Sequence, residues 1–234
     1  MSNLQSTSNS GVTHATLAFL FRFGMLVVAL SLSFGAAAAC ERPALSAEDE
    51  ALAEFDSGQQ YEAKGNLARA RDAYTSAIRL DSSLAEAYAA RGHVAYRLND
   101  SVSALGDLNR AIDLEPEMAL AYNHRGLLFA ANDDFDRAVL DYTRAIQIDP
   151  NLGAAYFNRA GLYFVNEDVN STIADLSSAI ALNPRSAVLR LTRGRIYLRS
   201  GDTASAIDDL EQVLGLTQDE SLTIPAKQML LGLR

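Results

Sequence analysis

From residue 51 onward the chain alternates between runs in which apolar or small residues recur every three or four positions and short polar breaks. Residues 119–152 show the pattern clearly. Tyr122, Gly126 and Phe129 share one helical face, and Ala138, Tyr142, Ala145 and Ile146 share another. Asp133-Asp134 lies between the two runs, and Pro150 follows the second, where a helix must stop. The stretch therefore predicts two helices joined by a tight turn.

The same unit returns at a constant interval. Ala77-Ile78, Ala111-Ile112, Ala145-Ile146, Ala179-Ile180 and Val213-Leu214 are successively 34 residues apart. Arg91-Gly92, Arg125-Gly126, Arg159-Ala160 and Arg193-Gly194 keep that step, as do Ser82, Pro116, Pro150 and Pro184. Turn formers mark each midpoint: Gly65-Asn66, Asn99-Asp100, Asp133-Asp134, Glu167-Asp168 and Gly201-Asp202. Counting Ala51 as slot 1 gives five units, 51–84, 85–118, 119–152, 153–186 and 187–220, each a predicted helical hairpin. Residues 41–50 form a short linker and the start of the first helix, with Ser46 as its N-cap and Glu48 and Asp49 in its first turn. Residues 221–234 predict a C-terminal capping helix, with Pro225 in its first turn and Ala226, Met229, Leu230 and Leu233 as its apolar stripe.

The third unit carries a small residue in slot 8 (Gly126), an aromatic in slot 11 (Phe129), Ala in slots 20 and 27 (Ala138, Ala145), an aromatic in slot 24 (Tyr142) and Pro in slot 32 (Pro150). This array resembles the tetratricopeptide repeat, and the resemblance covers about 170 of the 234 residues. Ala160 replaces the slot-8 glycine of the fourth unit, Tyr96 stands one place late in the second, and the fifth lacks the proline. The resemblance implies an all-α fold: a right-handed superhelical solenoid of five stacked hairpins closed by the capping helix. The small residues let paired helices approach closely, and stacking supplies the core that no single hairpin can build.

Composition changes the picture at the N-terminus. Residues 1–16 are polar, 17–23 are apolar apart from Arg22, 24–39 are uncharged, and the run ends in SFGAAAAC. Residues 1–40 thus read as an export signal, to be set apart from the fold. The stretch AAAC resembles the lipobox of bacterial lipoproteins, which makes Cys40 the lipidation candidate; Ala37 departs from the larger aliphatic residue usual there. Cleavage after Ala37-Ala38-Ala39 and an uncleaved N-terminal membrane helix are the alternatives. The expected location is the periplasm or a lipid-anchored site on the bacterial envelope, with membrane attachment only through this segment. A net charge of −9 argues against nucleic acid as a partner. A single cysteine excludes a disulfide within the chain.

Slot 7 holds arginine in units two to five, and slot 23 holds aspartate in the same units; unit one has Ser57 and Ala73 there. Midway positions on antiparallel helices lie side by side. The pattern predicts a ladder of pairs within the repeats: Arg91–Asp107, Arg125–Asp141, Arg159–Asp175 and Arg193–Asp209. An arginine row that binds an anionic ligand is the alternative.

No Ser–His–acid or metal-ligand spacing occurs after the leader, so no catalytic residue, metal or cofactor is assigned and the chain is expected not to be an enzyme. His93 and His124, in slots 9 and 6 of consecutive units, can face one another, with no acid or cysteine expected to complete a metal set. The resemblance places slots 2, 5, 9, 12 and 13 on a concave surface. That gives Glu86, Ala89, His93, Tyr96 and Arg97 in unit two and Leu120, Asn123, Leu127, Ala130 and Ala131 in unit three. Units four and five add Ala154, Phe157, Gly161, Phe164 and Val165, then Val188, Leu191, Arg195, Leu198 and Arg199, with His124 and Asn158 in slot 6. The middle is apolar and one end is basic. No consecutive triplet supplies the cations of the carboxylate-gripping pockets known in this family. The expected function is a non-catalytic scaffold that holds a helix or segment of a protein partner in this groove. A recruiting subunit of an envelope enzyme assembly and a purely structural, self-associating homo-oligomer are the alternatives.

Overall fold

In the computed structural model, which describes residues 46–233, each polar break becomes the same turn. Its first residue takes the left-handed conformation: Gly65, Asn99, Asp133, Glu167 and Gly201 have φ between 59° and 83°. Its second caps the next helix. The side chains of Asn66, Asp100, Asp134, Asp168 and Asp202 each accept a hydrogen bond from the backbone N–H three residues on, at 3.0–3.3 Å. Residues 1–40, expected to be an export signal, lie outside the described residues together with Cys40.

Eleven helices follow from these stops and starts among the described residues. The hairpins are α1 (Ala47–Ala63) with α2 (Leu67–Leu80), α3 (Ala85–Arg97) with α4 (Ser101–Leu114), and α5 (Ala119–Ala131) with α6 (Phe135–Ile148). They continue with α7 (Gly153–Val165) and α8 (Val169–Leu182), then α9 (Ala187–Ser200) and α10 (Thr203–Leu216), and end with the lone helix α11 (Glu220–Leu231). Each helix packs on its hairpin partner and on the next helix in order, so the chain builds a solenoid. The odd helices α3, α5 and α7 also touch one another in succession, which gives them a shared face. Among the described residues no helix is long and apolar enough to cross a membrane.

The core is distributed over the joints between hairpins. Ala138 and Tyr142 of the third unit pack with Leu162 of the fourth, and Leu108 of the second packs with Leu128 of the third. Slot 20 and slot 27 alanines such as Ala104, Ala111, Ala138 and Ala145 are fully buried, because any larger side chain would separate the helices there.

Slot 8 shows how tight the approach is. A Cβ built on Gly126 would lie 2.6 Å from the Tyr142 ring, and one on Gly58 would lie 2.4 Å from Tyr74. At Gly194, opposite Leu210, the nearest atoms stand at 3.3 Å. Under a slot-24 leucine the room varies from unit to unit: a Cβ on Gly92 would lie 2.8 Å from Leu108, whereas the fourth unit accommodates Ala160 in slot 8 against Leu176, both buried.

The ends are closed differently. Ser46 caps α1, its hydroxyl accepting from the Asp49 N–H at 3.1 Å. At the other end α11 buries Ala226 against Ala187, Leu191, Leu210 and Val213, with Leu222, Met229 and Leu230 around it. Pro225 does not fall in the first turn of that helix as its sequence context suggests. The helix starts earlier, at Glu220 behind the Asp219 cap, so Pro225 is its sixth residue. The carbonyl it deprives of a donor belongs to exposed Ser221, where water can serve.

Thermal or urea unfolding of two alanine variants tests the difference in clearance between Gly126 and Gly194. Gly126→Ala should lose about 1–3 kcal/mol through overpacking against Tyr142. Gly194→Ala should fall at least about 1 kcal/mol less, because its neighbours are farther and alanine is the better helix former. Equal losses would contradict that difference.

Candidate functional site

The slot-7 arginines hold the solenoid together around the site. In each of units two to five the guanidinium bonds the slot-23 aspartate of its own hairpin through two nitrogens. Arg91 reaches Asp107 at 2.8 and 2.8 Å, Arg125 reaches Asp141 at 2.8 and 2.9 Å, Arg159 reaches Asp175 at 2.8 and 2.8 Å, and Arg193 reaches Asp209 at 2.7 and 2.9 Å. The pairs lie within single repeats, as the slot pattern predicts, but each arginine also reaches beyond its own. The remaining Nη1 of each arginine donates to slot 25 of the preceding unit: Thr75 at 3.2 Å, Asn109 at 2.7 Å, Thr143 at 2.9 Å and Ser177 at 2.8 Å. The hydrogen bonds to aspartate, more than any other influence, push all four guanidinium pKa values above their ordinary range. Four arginines are thus fully engaged, which leaves no arginine row for an anion.

A second set of polar contacts crosses the joints on the shared face of the odd helices. At the first joint Glu62 accepts from Arg97 Nη1 at 3.0 Å and from the Tyr74 hydroxyl at 3.0 Å, and its carboxylate lies 3.0 Å from His93 Nδ1. With the His93 hydrogen bond as the largest cause, the Glu62 carboxyl is held down at about 2. At the second joint the rings of His93 and His124 stack, 4.2 Å between centroids and 11° apart in plane. At the third, Asn158 Nδ2 donates to Asn123 Oδ1 at 3.0 Å. At the fourth, the contact is a loose one of 3.8 Å between Arg199 and an exposed Glu167 carboxylate.

Where these ties thin out, the face opens. A cavity of about 600 Å³ lies across α5, α7 and α9, with Leu127, Phe157, Phe164 and Ile196 in its walls, Tyr142, Thr172 and Leu176 behind them, and Arg195 and Arg199 at its side. Gly161 lines it as well, and a Cβ there would meet nothing within 4 Å. Phe157 leaves 39% of its surface exposed. A second cavity of about 680 Å³ lies towards the N-terminus, lined by Phe55, Tyr74, Met118, Leu120 and the two histidines, with Glu62, Glu86, Glu115 and Glu117.

Most of the residues expected on the concave surface lie on this shared face, with four corrections. Asn123 and Leu191 are buried, at 4% and 8% exposed: the first is covered by Asn158, and the second is claimed by the α11 packing cluster. Tyr96 packs on Ala95, Ala104, Leu108 and Leu128 rather than lining either cavity. His124, expected to look outward, is covered by His93, and its Nδ1 is buried without a hydrogen-bond partner. An acid does reach the histidines, contrary to expectation. Glu62 is slot 12 of unit one, outside units two to five whose slots predict the groove. The slot-25 partners were also missed, although polar residues stand there in the first four units and a 34-residue comparison would have found them.

The polar groups on this face are stacked rings and paired amides. Stacked imidazoles present ring faces to each other, so their nitrogens do not converge on an ion. Among the described residues no group of three His, Cys, Asp or Glu side chains is placed to hold a metal. Asn158 spends one amide hydrogen on Asn123 and has a second donor and its carbonyl to spare.

Comparison with known proteins agrees with the repeat. Tetratricopeptide-repeat family models match residues 89–152 and residues 187–220. No curated protein matches the sequence. Among solved structures, pilF of Pseudomonas aeruginosa superposes with a TM-score of 0.69 at 16% identity, over 74% of this chain and 79% of its own. A chain of the APC/C hetero-tetramer Cut9-Hcn1 gives 0.68 at 19% identity over 76% of this chain, which spans only 36% of that one. YrrB, described as a TPR protein with an unusual peptide-binding site, gives 0.56 at 19% identity, over 77% and 93%. At these identities the likeness is one of fold.

The buried histidine predicts a pH response. Burial, with the neighbouring His93 charge adding to it, pushes the His124 pKa down from 6.5 to about 4. The folded state therefore leaves His124 neutral at a pH where the unfolded chain binds a proton, so stability present above pH 6.5 is lost as pH falls towards 4. By pH 4 the loss amounts to about 3 kcal/mol. Urea titrations between pH 7 and 4 should show this slope in the parent and a flatter one in His124→Gln. Parallel slopes would contradict the assignment.

Proposed function

We propose that this chain, which carries tetratricopeptide repeats, is a non-catalytic scaffold that holds a segment of a partner protein on the shared face of its odd helices. The observation that carries the reading is the 600 Å³ apolar cavity across α5, α7 and α9, where Phe157 stays partly uncovered beside the loosely tied last joint. A trough walled by aromatic and aliphatic side chains, with a few polar groups at its margin, suits an inserted side chain or helix face. YrrB, a protein of the same fold, is described as having a peptide-binding site, which supports a binding role for such a face. We place the scaffold at the bacterial envelope, exported and anchored by lipid at Cys40. Support for that comes from the order of polar, apolar and small residues over positions 1–40.

Photocrosslinking in cells tests the binding face. A photoreactive side chain at Gly161 has room, and one at Leu140, 68% exposed on α6 and outside both cavities, serves as the control. The Gly161 probe should give one discrete protein adduct that Phe157→Asp removes and the Leu140 probe never forms. Equal adducts from both positions, or an adduct indifferent to Phe157→Asp, would contradict the reading.

A further inference from the structure

The arginines of α9 fall into two groups. Arg193 and Arg190 turn to Asp209, at 2.7 and 3.5 Å. Arg195 and Arg199 stand one turn apart and line the apolar cavity instead. Arg195 makes no ion pair among the described residues. Arg199 has only the distant Glu167 carboxylate, itself 83% exposed, and its guanidinium rests 4.8 Å over the Phe164 ring. A helix that neutralises its other arginines so closely leaves these two as a cationic edge beside an aromatic wall.

The opposite end of the same face has the opposite sign. The second cavity carries Glu86, Glu115 and Glu117, with no lysine or arginine among its lining residues. The two cavities lie in succession along α5, which gives Leu120 and His124 to one and Leu127 and Ala130 to the other. An occupant therefore meets acid near the first joint, an apolar cavity in the middle and arginine near the last. Opposite charge steers and orients such an occupant, and like charge rejects the reverse arrangement.

We infer that the segment held on this face is acidic at one end: a bulky apolar side chain fills the cavity, and an adjacent Asp or Glu lies against Arg195 and Arg199. The inference rests on the scaffold reading above and names the chemistry of its partner. The spare donor and carbonyl of Asn158, inside the cavity, suit the amide backbone of a peptide, which an acyl chain lacks.

Panning a random peptide display library on the purified full chain tests this, with fluorescence anisotropy on the enriched peptides. Two variants separate the outcomes, and their thermal midpoints confirm that both fold. Arg195→Glu combined with Arg199→Glu reverses the edge; Gly161→Leu fills the cavity at a position with nothing within 4 Å. Enriched peptides should pair a large apolar residue with Asp or Glu. Charge reversal should weaken them about tenfold or more, as losing a charge-assisted contact does, and should turn the library towards Lys and Arg. Gly161→Leu should abolish both classes. Peptides enriched without acids, or unmoved by charge reversal yet lost in Gly161→Leu, would overturn the acidic partner and leave the scaffold standing. Binding that survives Gly161→Leu would overturn the scaffold reading itself. Failure to enrich any sequence would overturn the inference, as would a concentration-dependent mass that Gly161→Leu abolishes, since a second copy would then be the occupant.

Discussion

A single side chain in each of units two to five, the slot-7 arginine, is bonded to two hairpins at once. Its fork takes the aspartate of its own hairpin, and its remaining nitrogen takes a hydroxyl or amide of the hairpin before it. The planar guanidinium makes this possible, because a lysine would offer a point charge without fixed directions. In the first unit Ser57 stands in slot 7 and Ala73 in slot 23, so the arginine and the aspartate that would need it when buried are absent together. Asp209, at the last joint, is 1% exposed, so its charge depends entirely on the arginines around it.

With the arginines occupied, the shared face of the odd helices is left to differ from joint to joint. The first three joints spend polar side chains on each other: Glu62 with His93 and Arg97, His93 with His124, and Asn158 with Asn123. The last joint lacks such a tie, and there the apolar walls and the two spare arginines face open space. Regular packing thus sets the frame, and irregular surface chemistry sets the site within it.

Much of the frame was legible in the sequence, because a period of 34 residues repeats the same physical demand. Gly126 under Tyr142 and the Asn or Asp caps of the second helices answer local needs that recur in each unit, so spacing alone exposes them. The slot-7 and slot-23 pairing was legible for the same reason. Its reach into slot 25 was not, since that contact depends on how one hairpin sits on the next. The site was read less well. Asn123 and Leu191 share slot 5, yet one is buried by a neighbouring asparagine and the other by the terminal helix, which has no counterpart in the repeat. His124 looked exposed because slot 6 faces inward, but the imidazole of His93 covers it.

The claim that each arginine holds two units is tested most directly by two double-mutant cycles on Arg125, one with Asp141→Ala and one with Asn109→Ala, read by urea unfolding. Coupling to Asp141 should be about 2–3 kcal/mol, as for a hydrogen-bonded, largely buried charge. Coupling to Asn109, at 2.7 Å but more exposed, should be about 0.5–1.5 kcal/mol. Zero coupling to Asn109 with full coupling to Asp141 would mean that the arginine serves its own hairpin alone, and the joint would have to be held by apolar packing.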